Sequence, residues 1–151
     1  MANGNIVRSS IPFFFFSKRD KKRIIDAIRS AEFGTSGEIR VHIARRVAED
    51  IMAEAAATFE RIGMTRTEKR NGVLIYFAIH DRAFAIIGDS GIDAKAGRLW
   101  EPAVKAMQER FSRNEFADGI AQAVAMVGAA LKEHFPYQSD DVNELSDKIS
   151  Y

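Results

Sequence analysis

Gly88-Asp89-Ser90-Gly91, followed closely by Asp93, sets two carboxylates and a hydroxyl around a pair of glycines. Hard cations such as calcium or magnesium take oxygen ligands from carboxylates, amides, hydroxyls and backbone carbonyls, about six to eight of them for calcium. Asp89 and Asp93, with Glu38 and Asn71 from earlier in the chain, supply donors of that type, and Gly88 and Gly91 allow close backbone approach. Ordinary turn chemistry accounts for the same letters, because Asp and Gly commonly follow a strand. Arg70 and Ser90 are the neighbouring residues suited to hold a phosphate or another anionic ligand. Asp81 and Arg82 form a second, separate candidate pair.

Other chemistries are excluded by pattern. The Gly88–Gly91 segment shares letters with the nucleophile loop of serine proteases but lacks the companion His and Asp context. It also fails G-x-S-x-G, since Ile92 stands where the last glycine belongs. No P-loop, no G-x-G-x-x-G and no H-E-x-x-H occurs. His42, His80 and His134 have no metal-ligand spacing and read as surface or edge residues. With no cysteine in the chain there is no disulfide, no thiolate nucleophile and no zinc–thiolate site.

The candidate residues must be positioned by the elements around them. Ser17 reads as a helix N-cap with Asp20 three residues on, and Ile24, Ile25, Ile28 and Ala31 share the inward face. Lys18, Arg19, Lys21, Lys22 and Arg23 crowd that helix start, against the macrodipole, and read as a solvated face. Glu38–Ala44 alternates, with Ile39, Val41 and Ile43 on one side and Glu38, Arg40 and His42 on the other, which marks a strand. A second helix is expected from about Ala48 to Ile62, stopped by Gly63. Val73–Ile79 is apolar throughout, the signature of a central strand covered on both faces. The His80-Asp81-Arg82 turn returns the chain into a strand over Ala83–Gly88. Two further helices follow, one carrying Trp100, Val104, Met107 and Phe111, the other running from Phe116 to Phe135 and ended by Pro136. The acidic stretch from Asp140 to Tyr151 reads as irregular and lying on the surface.

The first strand, second helix and second strand make a βαβ unit, so those strands run parallel through a right-handed crossover. The short turn at His80–Arg82 makes the third strand antiparallel. Direction therefore sorts the loops. Arg45, Arg46 and His80–Arg82 fall at one sheet end. Thr35, Ser36, Glu38, Arg70, Asn71, Asp89, Ser90 and Asp93 fall at the other.

A chain of 151 residues, 46% hydrophobic, suits one globular domain. We read residues 1–12 as an N-terminal arm and 13–151 as the domain. Basic and acidic residues number 22 and 21, a net charge of +1, which gives no global reason to expect nucleic acid. The N-terminus lacks a signal-peptide pattern, and no apolar run approaches the roughly 20 residues of a spanning helix. A cytoplasmic location is expected. For Phe13–Phe16, beside the basic helix start, burial against the sheet is favoured over contact with a membrane surface.

The string TSGEIRVHIA (Thr35–Ala44), then RNGVLIYFAIHDRAFAIIGDSGI (Arg70–Ile92), then Trp100, His134–Pro136 and Asp141–Asp147 resembles the TPM-domain family. That family includes a thylakoid-lumen protein of photosystem repair and many bacterial proteins. The resemblance runs from about Phe15 to Ser150, in several separated segments in the same order. It implies a three-layer α/β/α sandwich with a small mixed sheet, one parallel βαβ unit plus an antiparallel hairpin. It also implies phosphatase activity in some members and divalent-metal binding, calcium in particular, in others. By position the family's loop after the third strand falls on Gly88–Asp93 and its hairpin turn on Asp81 and Arg82. Two features depart from the family pattern. Ile11, Pro12 and Phe13–Phe16 stand where many members carry an acidic residue, and the signal peptide, later membrane segment and Gly-rich tail of many members are not in this sequence.

Two functions fit these residues. The first is a binding or accessory module, acting with a protein partner, that holds a divalent cation through Asp89, Asp93, Glu38 and Asn71. The second is a metal-assisted phosphomonoesterase with Asp89 as metal ligand or nucleophile and Arg70 or Arg82 as the phosphate clamp.

Overall fold

A computed structural model describes residues 9–92, 99–137 and 149–151. Pro12, whose fixed φ suits a first helical turn, opens the short helix α1 (Pro12–Phe15). The Ile11 amide just before it donates to Ser9 Oγ at 3.0 Å. Helix α2 (Lys18–Glu32) follows, and Ser17 caps it by accepting from the Asp20 amide at 3.1 Å. Ile24, Ile28 and Ala31 are its buried residues, spaced four and three apart along one face.

Strand β1 (Glu38–Ala44) leads to helix α3 (Ile51–Arg61). This helix begins three residues later than the apolar spacing suggests. The Asp50 side chain accepts from the Met52 amide at 3.1 Å and fixes the start there. Gly63 and a 3-10 turn, Met64–Arg66, then feed strand β2 (Gly72–Ala78), which a tight turn joins to β3 (Ala83–Gly88). Helices α4 (Glu101–Ser112) and α5 (Phe116–His134) complete the fold.

The sheet has the order β1-β2-β3, with β1 parallel to β2 and β2 antiparallel to β3. Every residue of the central strand is buried, because both its faces are covered. On one face Ile39, Val41, Ile43, Val73, Ile75, Phe77 and Ile86 join the apolar sides of α2, α4 and α5. At its centre the Phe77 ring lies 4.8 Å from Phe111 and 5.6 Å from both Phe15 and Phe116, an edge-and-offset aromatic cluster. On the other face Leu74, Tyr76, Ala78 and Ala85 pack under Ala55 and Phe59 of α3 and under Met64. This is the expected three-layer α/β/α arrangement.

The Phe13–Phe16 run divides. Phe15 and Phe16 are buried, whereas Phe13 and Phe14 are 52% and 65% exposed. Burial against the sheet therefore holds for two of the four rings, because one helical turn cannot point four consecutive side chains the same way.

The C-terminal stretch differs from expectation. Residues 138–148 lie outside the described residues, but Ile149 is buried and Ser150 forms a bridge with His42. The Ser150 amide donates to Val41 O at 3.0 Å, and Ser150 O accepts from the Ile43 amide at 2.9 Å. An edge strand leaves backbone groups unpaired, and Ser150 satisfies two of those of β1, Val41 O and the Ile43 amide. Helix α5 stops at His134, and Pro136, which follows its end, forms a bridge with Thr35. His42 is on the edge strand, as expected, yet only 3% exposed, with its ring stacked on Tyr76 and Nδ1 at 2.8 Å from Ser150 Oγ. Among the described residues no helix is long and apolar enough to cross a membrane.

Candidate functional site at the two ends of the sheet

The strand directions place the predicted residues that the structure describes at the sheet ends that the sequence assigns to them. At the first end, Asp89 directly follows β3, and its amide donates to Gly72 O at 2.9 Å. Its side chain is 4% exposed and carries a two-pronged ion pair: Arg70 Nε lies 2.8 Å from Oδ2 and Arg70 Nη2 lies 2.9 Å from Oδ1. The Ser90 amide adds a third donor to Oδ1 at 2.7 Å. Fork-on-fork pairing of this kind is both strong and directional. The hydrogen bond and charge of Asp89 hold the Arg70 guanidinium protonated beyond its ordinary range.

Arg70 reaches this position from a left-handed backbone conformation, φ +50°, uncommon outside glycine and asparagine. Its carbonyl accepts from the Gly91 amide at 2.8 Å. That approach is so close that a Cβ on Gly91 would lie 2.0 Å from the Lys69 carbonyl oxygen. The loops before β2 and after β3 are thus joined by backbone and side chain together.

Asn71 is buried and structural in its contacts. Its amide donates to Thr67 Oγ1 at 3.1 Å, its Nδ2 to Ser36 Oγ at 3.2 Å, and its carbonyl accepts from the Glu38 amide at 3.4 Å. Glu38 pairs with Gly72 in the parallel register. Extending the antiparallel register by one residue sets Asp89 on the other side of that same glycine. Glu38 and Asp89 therefore flank Gly72, two strand spacings, or about 10 Å, apart. The space over Gly72 is filled: a Cβ there would meet Met64 O at 3.1 Å and Met64 Cε at 3.2 Å.

The structure thus brings Asp89 together with Arg70 and Ser90, and Asn71 together with Ser36, while Met64 stands over the glycine that separates Glu38 from Asp89. Asp93 lies outside the described residues. Among the described residues no three His, Asp or Glu side chains come together as a metal-ligand group. As it stands the donor set does not fit a hard cation, because Asp89 is already neutralised by a guanidinium. The Arg70–Asp89 pair is the feature sequence reasoning missed. It spans a separation of 19 residues that no local pattern connects.

The second end holds Asp81 and Arg82. Asp81 Oδ2 accepts from the Val47 amide at 2.7 Å, tying the β2–β3 turn to the loop after β1. Arg82 has φ +52°. Its guanidinium carbon lies 4.6 Å from the Phe116 ring centroid and 5.5 Å from that of Phe15, within cation–π range. A cavity of about 180 Å³ opens here, lined by Arg45, Arg46, His80 and Arg82, by Ser9 and Ser10, and at its apolar side by Phe15 and Ile79.

The TPM domain profile matches residues 14–130. The solution structure of the BA42 protein from the psychrophilic bacterium Bizionia argentinensis superposes with a TM-score of 0.84 at 39% identity, over 90% of this chain and 94% of that one. The N-terminal domain of the cg2496 protein from Corynebacterium glutamicum shares the fold, with a TM-score of 0.64 at 16% identity, over 85% and 81% of the two chains. No curated protein matches.

Proposed function

This chain belongs to the TPM-domain family, and from that premise we propose that it is a binding module whose working feature is the Asp89 carboxylate, held in reserve by Arg70. The observation that carries this reading is the ion pair itself. A carboxylate 4% exposed is matched to a guanidinium 47% exposed, so the arginine can withdraw into water while the acid stays in place. Arg70 serves as the resident cation of the loop. Asp89, with oxygen donors from Ser90 and Asp93, would hold a calcium or magnesium ion in place of that guanidinium. Glu38 and Asn71 act as the frame that holds the loops in register, rather than as ligands sharing one ion with Asp89.

The same pair weighs against the phosphomonoesterase reading. An Asp89 whose two oxygens accept three hydrogen bonds is a poor nucleophile, and a guanidinium engaged on Asp89 is not a phosphate clamp. The test is a calcium and magnesium titration of the 15N-labelled wild type and of Arg70→Gln, followed on the amides of Ser90 and Gly91. Shifts that saturate at lower ion concentration in R70Q support the exchange. An absence of shifts in both proteins overturns it. Phosphomonoester turnover abolished by Asp89→Asn would replace the binding module with the enzyme.

A further inference from the structure

Two arginines hold left-handed backbone conformations at turns, one at each end of the sheet, with φ +50° at Arg70 and +52° at Arg82. A non-glycine residue in that region is uncommon, and a strained position points to a function when something is gained by it. At Arg70 the gain is visible: its guanidinium meets Asp89. At Arg82 the guanidinium lies against the Phe116 and Phe15 rings, and no carboxylate among the described residues plays the part of Asp89. Among the described residues no carboxylate lies within ion-pair distance of Arg82, Arg45 or Arg46. We propose that the cavity between these three arginines is a binding site for a phosphate group, the anion taking the place at this end that Asp89 takes at the other.

Three independent features support the site. The first is its place in the fold. Arg45 and Arg46 immediately follow β1, and Ile79 and His80 immediately follow β2. These are the carboxyl ends of the two parallel strands, the edge at which open α/β sheets place their ligands. The backbone there is fixed by the Ile79 amide on Ala44 O at 3.0 Å and the His80 amide on Arg45 O at 2.8 Å.

The second is charge and donor type. Three of the lining residues are arginines, and the one carboxylate in the adjoining turn, Asp81, is engaged by the Val47 amide. Guanidinium N–H groups match phosphate oxygens two at a time. Ser10 adds a hydroxyl, and Ser9 keeps its hydroxyl proton, since its oxygen is the acceptor for the Ile11 amide. The third is preorganisation. The Phe116 and Phe15 rings, 4.6 and 5.5 Å from its central carbon, hold the Arg82 guanidinium in place at the cavity wall. The cavity, about 180 Å³, is about ten times what one water requires, enough for a phosphate with part of the organic group that bears it.

The site lies at the opposite end of the sheet from Asp89, so its test is independent of the exchange proposed there. The probes are inorganic phosphate and glycerol 3-phosphate, titrated into 15N-labelled protein at constant ionic strength with chloride as control. Shifts should concentrate at residues 9–10, 45–46 and 80–82, and the Arg82 side-chain Nε resonance should move. Arg82→Asn removes the guanidinium while supplying a residue that tolerates the left-handed turn, and Arg45→Gln/Arg46→Gln alters exposed positions only. Each should weaken phosphate binding by about tenfold or more, the scale of one lost charge-assisted hydrogen bond.

A parallel arm uses phosphatidylcholine vesicles with and without phosphatidic acid. Sedimentation with the acidic vesicles that is lost in both variants, without binding of glycerol 3-phosphate, assigns the phosphate to a lipid headgroup. Binding of the soluble ester assigns it to a small molecule. Silence in both arms overturns the proposal, as does phosphate binding of undiminished strength in folded R82N.

Discussion

Replacing His42 by asparagine should flatten the acid side of this protein's stability profile. Burial, with the charges of Arg61 and Arg40 adding to it, pushes the His42 imidazole down from 6.5 to about 4. Below pH 6.5 the unfolded chain takes up a proton that the folded chain refuses until about pH 4. The unfolded state therefore binds more protons throughout that window, and stability falls as pH falls across it. At 1.36 kcal/mol per pH unit the full window corresponds to a ceiling of about 3.4 kcal/mol, and partial solvent screening at the sheet edge lowers this. Between pH 7 and pH 5, before most carboxylates titrate, the His42 contribution should be about 1–2 kcal/mol. The assay is urea unfolding followed by circular dichroism at several pH values, wild type against His42→Asn, whose amide can keep a hydrogen bond to Ser150 Oγ. The variant should lose less stability than wild type over that interval by this amount. Equal slopes in the two proteins, or a His42 ring resonance titrating near pH 6.5, would refute the argument.

Three further substitutions probe the packing. Phe77→Ala, at the centre of the aromatic cluster and 0% exposed, should cost about 3–5 kcal/mol in denaturant unfolding. A loss below about 1 kcal/mol would mean that the cluster rearranges around the gap. Gly128→Ala should destabilise although alanine favours helix by about 1 kcal/mol, because its Cβ would lie 2.5 Å from Ala31 Cβ across the α2–α5 contact. A raised melting temperature would show that the two helices can separate without loss. Phe14→Ser, at a ring 65% exposed, should leave stability within about 0.5 kcal/mol. A larger loss would place Phe14 in a contact of the folded domain.

Much of the architecture is legible from local pattern. The alternation of Ile39, Val41 and Ile43 marks a strand with a buried side, and the unbroken Val73–Ile79 run marks the strand covered twice. The Ser17 cap is written in its own three-residue spacing. Helix α3 was legible in existence but not in its start, since Asp50 competes as a cap with the apolar pattern that precedes it. The Phe13–Phe16 run is uniform in composition, so its division into two buried and two exposed rings could not be read without the direction in which α1 lies against the sheet.

The sequence by itself determined which residues share an end of the sheet, because strand direction follows from a crossover helix and a short turn, and both are local. It could not determine which of those residues touch. Arg70 and Asp89 read as separate candidates for separate jobs and are in fact one ion pair. Glu38 and Asp89 read as fellow ligands and are separated by Gly72 with Met64 over it. Ser150 reads as surface tail and pairs with the edge of β1 at Val41 and Ile43. In each case the deciding fact is the position of a third group, distant along the chain and close in space. Burial and charge pairing are set by that meeting, so only the tertiary structure decides them.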